Sequence, residues 1–444
     1  MKGYALGDSI ELAGVITHSR PGRGGVEYTI HTGEQKVSFF SQENMPKGSE
    51  LAISAKITGL LPMQISVQAV QQQKGIYEQV AKKIEEKVQL GGFLLANPVT
   101  EQLAEQFKAV ARRLHSAKEL NRNVLLRFHG DADGIAGALA LGEVAFFKPL
   151  QQNSAVYSQR ESVGDLSYLY HEEKPLVILL DFGSNAKSAK QLEILRASGA
   201  ELILIDHHPL EMEAKPIPHL VLSPWLATVE NPSSYTAGYL AAEIAHLLGA
   251  DSAKYAKIAC AGDKSHVYEP GDEDKKSALV LDYLAANISY GNNLSFYKNV
   301  LEKQELFSSI YLQARENIDA AAEKAMVKMK KREKGELQIF IVPLAGIINR
   351  GEFPNSSKIT TAILERVKSD KPTIIIGYRS STLILRASKD CVARGINFAD
   401  IIQRLSNKFV GVIRTGGGHA TAAAIHVHKD YEQTVIDALI EEIK

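Results

Sequence analysis

The sequence predicts an α/β protein with a doubly wound parallel-sheet domain, a smaller α/β domain behind it and a small β-barrel in front. Three observations carry that prediction. Between about residues 121 and 290, short apolar runs alternate with stretches of helical period, the pattern of a parallel sheet with crossover helices. Ahead of it, five short alternating runs are separated by Gly- and Pro-rich turns. Behind it, a nearly unbroken helical stretch leads into a second set of strands and helices. The expected domain limits are 1–72, 73–120, 121–293, 294–335 and 336–444.

The first stretch offers strands at Ile10–Thr17, Val26–Ile30, Lys36–Phe40, Leu51–Ile57 and Gln64–Val70. Turn residues separate them, at Pro21–Gly25, Thr32-Gly33 and Pro46-Lys47-Gly48. Five strands in so short a stretch suit a barrel of OB type, an architecture that often binds oligonucleotides. Arg20, Arg23 and Tyr28 are the candidates for phosphate and stacking contacts, with Phe39 and Phe40 beside them. The alternative is that the aromatics fill the barrel and the arginines are solvated.

From Gly75 the period turns helical, with one helix over Ile76–Leu90. Asn97-Pro98 is expected to break the chain, and Thr100 to cap a second helix with Leu103, Phe107, Val110 and Leu114 on one face.

The central domain opens on VLLRFHGDADG (124–134). Val124-Leu125-Leu126 reads as a buried strand. His129, Asp131 and Asp133 follow at every second position, and Gly134 is expected to let the backbone turn sharply. Leu176–Leu180 is a second apolar run, ending at Asp181, and Leu202–Ile205 a third, ending at Asp206-His207-His208. Ile258–Gly262 leads to Asp263 as a fourth strand end. In an open parallel sheet the ligand crevice lies outside such C-terminal ends. Helices are expected over Ile135–Leu141 and Tyr235–Leu248; Ser233, Ser234 and Thr236 at the start of the latter cap it or face a substrate.

These eight residues are mostly carboxylate, with some imidazole and no thiolate. That donor set suits Mn²⁺ or Mg²⁺ better than structural zinc. The acids are too many for one ion and about enough for two. A pair of ions roughly 3.5–4 Å apart suits in-line attack on phosphorus. The sequence contains no GxxxxGK[ST] and no GxGxxG after a strand, so nucleotide-driven and dinucleotide-cofactor chemistry lack their phosphate cradle.

Leu294 to about Lys334 is expected to be helical almost throughout, ending in the basic run Lys328–Lys334. Beyond it, Leu337–Val342, Thr373–Tyr378 and Thr382–Ala387 read as strands, and Lys358–Val367 and Phe398–Leu405 as helices. Arg414, Gly416, Gly417, Gly418 and His419 follow, a loop where backbone N–H groups can approach an anion. The alternative is a flexible turn before a strand at Ala422–His428.

Lys+Arg and Asp+Glu both number 51, so attraction to a polyanion must be local or metal-borne. The two cysteines are far apart, which argues against a disulfide scaffold or zinc ribbon. No signal-like or membrane-spanning run is visible, so a cytoplasmic protein without membrane contact is expected.

HGDADG (129–134), Asp181, Asp206-His207-His208 and Asp263 resemble, in order and spacing, the four motifs of the DHH phosphoesterase superfamily. RTGGGHATAAA (414–424) resembles the GGGH segment of the associated DHHA1 domain. The resemblance covers about residues 121–444. With a barrel in front, the chain is similar to the archaeal RecJ-like single-strand exonucleases. The resemblance implies that Asp131, Asp181 and His129 hold one Mn²⁺ or Mg²⁺ ion. It implies that Asp133, His207 and Asp263 hold a second, with Asp181 bridging. His208 is implied to contact the scissile phosphate or protonate the leaving group. Asp206 is implied to support the histidines, so that His208, Asp133 and Asp206 form the catalytic set. Gly416–Gly418, His419 and Arg414, with Arg386, resemble the clamp on the nucleotide being removed. A complete set argues against the inactive DHH relatives that serve as scaffolds in the replicative helicase.

The expected function is therefore a two-metal exonuclease releasing mononucleotides from single-stranded DNA or RNA, in replication or repair. The alternatives are a phosphoesterase for short oligonucleotides, cyclic dinucleotides or nucleotide bisphosphates, and a non-catalytic subunit of a replication or repair complex. An inorganic pyrophosphatase would leave the barrel without a task. By the same resemblance, GINS or a repair helicase is the expected protein partner.

Overall fold

Alternation along Glu50–Leu60 is the simplest example of how the first seventy residues fold. Leu51, Ile53, Ala55 and Ile57 are buried while the residues between them are not. Four further strands join it: β1 Ser9–Gly22, β2 Gly25–His31, β3 Lys36–Ser41 and β5 Met63–Gln72, with Glu50–Leu60 as β4. They close in the order β1-β2-β3-β5-β4, an OB-like barrel. This is a computed structural model, and it describes residues 5–23, 25–170, 172–211, 218–287, 293–348, 352–367, 369–418 and 420–443.

Helix α1 (Ile76–Lys87) lays Ile76, Val80 and Ile84 against Val15 of the barrel and Leu120. Asn97-Pro98 marks the break between helices and itself opens the second one. Asn97 is the N-cap of α2 (Pro98–Gln102), with Pro98 in the first turn, where its missing N–H costs nothing. Thr100 closes the capping box by accepting from the Asn97 N–H. Helix α3 (Ala104–Glu119) then buries Phe107, Val110 and Leu114.

The central sheet contains β6 Val124–His129, β7 Lys148–Gln152, β8 Leu176–Leu180, β9 Glu201–Ile205 and β10 Leu220–Leu222. Its order is β10-β9-β8-β6-β7 and every pairing is parallel. Between and after the strands run α4 (Ala132–Gly142), α5 (Gln159–Leu169), α6 (Ala189–Ala197), α7 (Ala237–Leu247), α8 (Ala253–Gly262), α9 (Asp272–Asn287) and α10 (Leu294–Glu302). Leu125, Val177, Leu179, Leu202 and Leu204 face one side of the sheet, with Leu192 and Leu195 of α6. Helices α4, α7 and α8 pack against each other, and α4 and α7 reach the strands.

The barrel docks on the N-terminal edge of this sheet. Lys47 Nζ donates to Asn123 Oδ1 (2.8 Å), Asn121 Nδ2 donates to the Thr17 carbonyl (2.9 Å), and Lys174 pairs with Glu50 (3.2 Å). Those partners lie just ahead of β6 and β8. At about 3.3 Å per residue, strands of five and six residues put the C-terminal edge about 17–20 Å away.

The chain divides into two compact units, one reaching to about residue 302 and one from 303 onward. The second begins with α11 (Gln304–Val327). The basic run does not continue that helix. Lys330–Lys334 is strand β11, antiparallel to β12 (Leu337–Pro343), because its residues gain a full ladder of hydrogen bonds at a sheet edge where charge is tolerated. Helix α12 (Ser356–Arg366), β13 (Thr373–Arg379), β14 (Thr382–Ala387), α13 (Lys389–Ala393), α14 (Phe398–Lys408), β15 (Ile413–Gly418), β16 (Ala422–Val427) and α15 (Glu432–Glu442) complete it. The sheet order is β11-β12-β13-β14-β16-β15.

Candidate metal centre

The strand order of the central sheet makes the site. Chain connections leave β6 for β7 on one side and return to β8 on the other. The gap between the C-terminal ends of β6 and β8 is thus a topological switch point, where open sheets bind ligands. β6 ends in His129 and β8 is followed by Asp181. β9, beside β8, is followed by Asp206-His207-His208.

Asp181 sits at the centre. Its backbone has φ 66°, a left-handed conformation that few non-glycine residues adopt and that costs about 1 kcal/mol or more. Its N–H donates to the Ile205 carbonyl (2.9 Å), which ties the turn to the next strand. Its Oδ1 is buried and has no hydrogen-bond partner, although His207 Nε2 lies 3.3 Å away in ion-pair range. An orphaned buried carboxylate oxygen is costly unless something cationic meets it.

Three sets of donors converge there. His129, Asp131 and Asp181 form one, Asp133, His207 and Asp263 another, and Asp181, His207 and His208 a third. In each set the donor atoms lie within 4.8 Å of one another. Asp181 is shared by two sets and His207 by two. The donors are oxygen and imidazole nitrogen with no sulfur, a composition that fits a hard or borderline divalent cation. The cluster is competent to hold one.

Asp131 caps α4, accepting from the Gly134 N–H (3.0 Å), and its other oxygen lies 2.7 Å from His129 Nδ1. Asp133 is wholly enclosed. Its two oxygens accept from the N–H groups of Ala237 and Gly238, each at 2.9 Å, so it also anchors the start of α7. Gly134 sits within α4 and makes no turn. It is small because a Cβ there would lie 2.3 Å from the His129 carbonyl oxygen. Asp263 follows a helix, α8, and not a strand. Its Ala-rich run packs closely on α4, where a Cβ on Gly262 would meet Ala132 at 2.9 Å, and alanine favours helix.

Hydrogen bonds set the histidine tautomers. His207 Nδ1 is 2.7 Å from the Ser233 carbonyl, which can only accept. Nδ1 therefore carries a proton in either charge state, and Nε2, which faces Asp181 and Asp263, is the nitrogen that a cation would meet once its own proton is displaced. His208 Nδ1 donates to Asp206 Oδ1 (2.8 Å), which leaves Nε2 outside that bond on a side chain that is about half exposed. Asp206 is fully buried and also accepts from the N–H groups of His208 (3.1 Å) and Ser184 (3.0 Å).

The charges are strongly coupled. Burial pushes the Asp133 carboxyl up, and Asp181 and Asp263 push it further. Burial also raises Asp263; His207 opposes this and Asp131 and Asp181 add to it, leaving it at about 7. Burial would lower His129 and His207, but the surrounding carboxylates outweigh it and hold both well above the usual imidazole range. Without a cation, the cluster collects protons to offset its own repulsion.

Two contributors were not visible in the motifs. Asp282 of α9 accepts from the Ala132 N–H (2.8 Å) between Asp131 and Asp133. Trp225 donates its indole N–H to the His207 carbonyl (2.9 Å). Neither sits near a strand-end acid in sequence, so only folding reveals them.

The remaining candidates lie elsewhere. Tyr28 is not available for stacking. It is barrel core, with its hydroxyl donating to the Glu43 carbonyl and accepting from the Met45 N–H. Phe39 is core too, whereas Phe40 is exposed. Arg20 and Arg23 are solvated at the β1–β2 hairpin, where Arg20 pairs with Glu27 at 2.5 Å.

In the second unit the glycines form no loop. Gly416–Gly418 belong to edge strand β15, paired with β16, because Gly418 approaches Ala422 and Ala423 too closely for any side chain. Arg414 is exposed at a bulge in that pairing. Arg386 pairs across to Ala422, next to the partner of Gly418, and its guanidinium donates to Thr361, Ser357 and the Leu385 carbonyl. His419 lies outside the described residues.

Residues 123–262, which carry the cluster except Asp263, match the N-terminal domain of the DHH family. Over those residues the chain is similar to that domain. Protein MJ1198 of Methanocaldococcus jannaschii, itself uncharacterised, is 26% identical over 447 residues, covering 83% of this chain. The chain spans 58% of that relative's length. A DHH-domain structure described as belonging to a family of ribosomal proteins aligns with a TM-score of 0.68. That alignment covers 83% of this chain and 97% of that one at 20% identity, a likeness of fold. RecJ from Thermus thermophilus in complex with Mn²⁺ aligns more loosely, with a TM-score of 0.48, 15% identity, and coverage of 82% of this chain and 56% of that one. Among the described residues, no helix is long and apolar enough to cross a membrane.

Proposed function

We propose that this protein is a divalent-metal-dependent phosphoesterase that trims single-stranded DNA or RNA from an end, releasing mononucleotides. The observation that carries the reading is the buried, unpartnered Asp181 oxygen between two donor sets that share it or face it. His129, Asp131 and Asp181 would hold one Mn²⁺ or Mg²⁺ ion; Asp133, His207 and Asp263 would hold a second, beside Asp181. Bound there, the ions would supply Lewis-acid activation of water and neutralise charge at the phosphate.

The polypeptide supplies orientation and a proton. Asp206 holds His208 by Nδ1 and keeps its imidazolium charged, so that Nε2–H points to the open crevice. That is the arrangement of a general acid for the departing oxygen. Asp282 and the N–H groups of Ala237 and Gly238 keep the carboxylates from moving as charge builds up. The OB-like barrel supports a strand-shaped substrate, and Arg20 and Arg23 remain its candidate phosphate contacts.

One observation favours a second reading. The barrel contacts the N-terminal edge of the sheet, opposite the cluster, so it does not border the site. A phosphoesterase for dinucleotides or nucleotide bisphosphates would suit that arrangement. Length dependence separates the two. A single-stranded oligonucleotide of about twenty nucleotides, labelled differently at its ends, is incubated with the protein and Mn²⁺. Prompt release of one label as mononucleotide is expected. Hydrolysis of dinucleotides with no attack on the longer strand would replace the first reading with the second.

A further inference from the structure

Trp225 is the single tryptophan of the chain, and 40% of it is open to solvent. Tryptophan normally buries most of its surface, and what sets this one apart from the other exposed aromatics is that its indole is tied to a residue of the metal cluster. It is not loosely placed. Ser223 is buried and accepts from the Trp225 N–H, Pro224 is buried, and the indole N–H is held by the His207 carbonyl.

Strand pairing brings its segment beside the histidine segment. Leu222 of β10 pairs with Ile205 of β9, and the Asp206 N–H donates to the Leu222 carbonyl (3.1 Å). Trp225 is three residues beyond Leu222, and His208 is three residues beyond Ile205. Trp225 lies in the short 3-10 turn that follows β10, and its indole Nε1, 2.9 Å from the His207 carbonyl, puts the ring against the histidine segment. Leu226, 48% exposed, extends the apolar surface outward.

We propose that Trp225 is a base-stacking platform of this site. A nucleobase attached to the phosphate being cleaved, or to its neighbour, lies on the indole face. This rests on the nucleotide-phosphoesterase reading above and deepens it, since a platform of this kind selects substrates that carry a base. Stacking accepts every base, because each has a π-face, so it gives affinity without sequence preference.

The test uses the full-length, Mn²⁺-loaded protein. Short oligonucleotides are compared with ones of equal length that carry abasic residues at the cleaved end. W225A should raise KM for the base-bearing substrate about tenfold, the loss of one stacked base, and leave KM for the abasic substrate where it is in the wild type. W225F keeps a ring but not the N–H, and should recover most of the affinity. Abasic substrate should bind wild type and W225A alike. Because no other tryptophan emits, stopped-flow indole fluorescence should be quenched before hydrolysis by the base-bearing substrate alone.

Cleavage of oligonucleotides with an unchanged KM in W225A, or with no quench, overturns the stacking role and leaves the phosphoesterase reading standing. A fall in kcat shared by W225F and W225A would make Trp225 a positioning residue for His207 and also overturns stacking. Failure of the wild type to cleave any nucleotide substrate overturns the underlying reading and the platform with it.

Discussion

Replacing Asp133 by alanine should do two separable things, and the structure allows them to be weighed. The side chain is fully enclosed, and its oxygens accept from the N–H groups of Ala237 and Gly238 at the start of α7. Removing it leaves two buried donors without partners, at about 1–3 kcal/mol each. Part of that is offset in metal-free protein, because Asp181 and Asp263 no longer repel a third carboxylate. A net loss of about 2–4 kcal/mol is expected, which for a unit of this size lowers the melting temperature by roughly 3–6 °C.

Asp263→Ala is the control. Its side chain is 33% exposed and faces His207 at 3.2 Å. Its loss removes a like charge, so the melting temperature in EDTA should stay within about 2 °C of wild type, under about 1 kcal/mol. Mn²⁺ at one hundred times its dissociation constant should stabilise the wild type by about 2.7 kcal/mol, and both variants should lose that gain and all hydrolysis. The assay is thermal unfolding in EDTA and in Mn²⁺, with hydrolysis measured on the same samples. If Asp133→Ala melts with the wild type in EDTA, the anchoring of α7 is wrong. If Asp263→Ala keeps the full Mn²⁺ shift, Asp263 is not a ligand.

Other perturbations follow from the same geometry. Gly238→Ala places a Cβ 2.5 Å from the Asp133 carbonyl oxygen and 2.8 Å from its Oδ1, so it should cost about 1–3 kcal/mol and raise the Mn²⁺ needed for half-maximal hydrolysis. Asp206→Asn should lower kcat by about 10²-fold or more while Mn²⁺ binding, followed by calorimetry, is kept, because His208 loses the carboxylate that charges it. Arg127→Ala strips the partner from the fully buried Asp165, to which Tyr157 also donates (2.6 Å). Denaturant titration should show a loss of about 3–5 kcal/mol. Metal affinity should rise with pH through about 7. Asp263 titrates near there and the histidines are held above their usual range, so at lower pH protons occupy the donors that Mn²⁺ must displace. The stability of metal-free protein should run the other way. The raised Asp263 favours folding while protonated, and that contribution is lost as pH rises from about 4 through about 7.

The local chemistry was legible from residue order alone. The apolar runs ahead of His129, Asp181 and Asp206 read correctly as strands, and spacing placed His129, Asp181 and His207 at strand mouths. Alternation likewise marked the five strands of the barrel. Such patterns report what a segment does to its own backbone. They do not say which segments become neighbours. Only the strand order set β6 beside β8 and made Asp181 the shared carboxylate. Packing against α4 turned the Asp263 run into a helix, barrel closure took Tyr28 into the core, and ladder pairing drew the glycine run and the basic run into edge strands. The contacts of Asp282 with Ala132, Ser233 with His207 and Trp225 with His207 join residues between 18 and 150 positions apart. No local period encodes them, because they arise from where the crossovers bring the chain back.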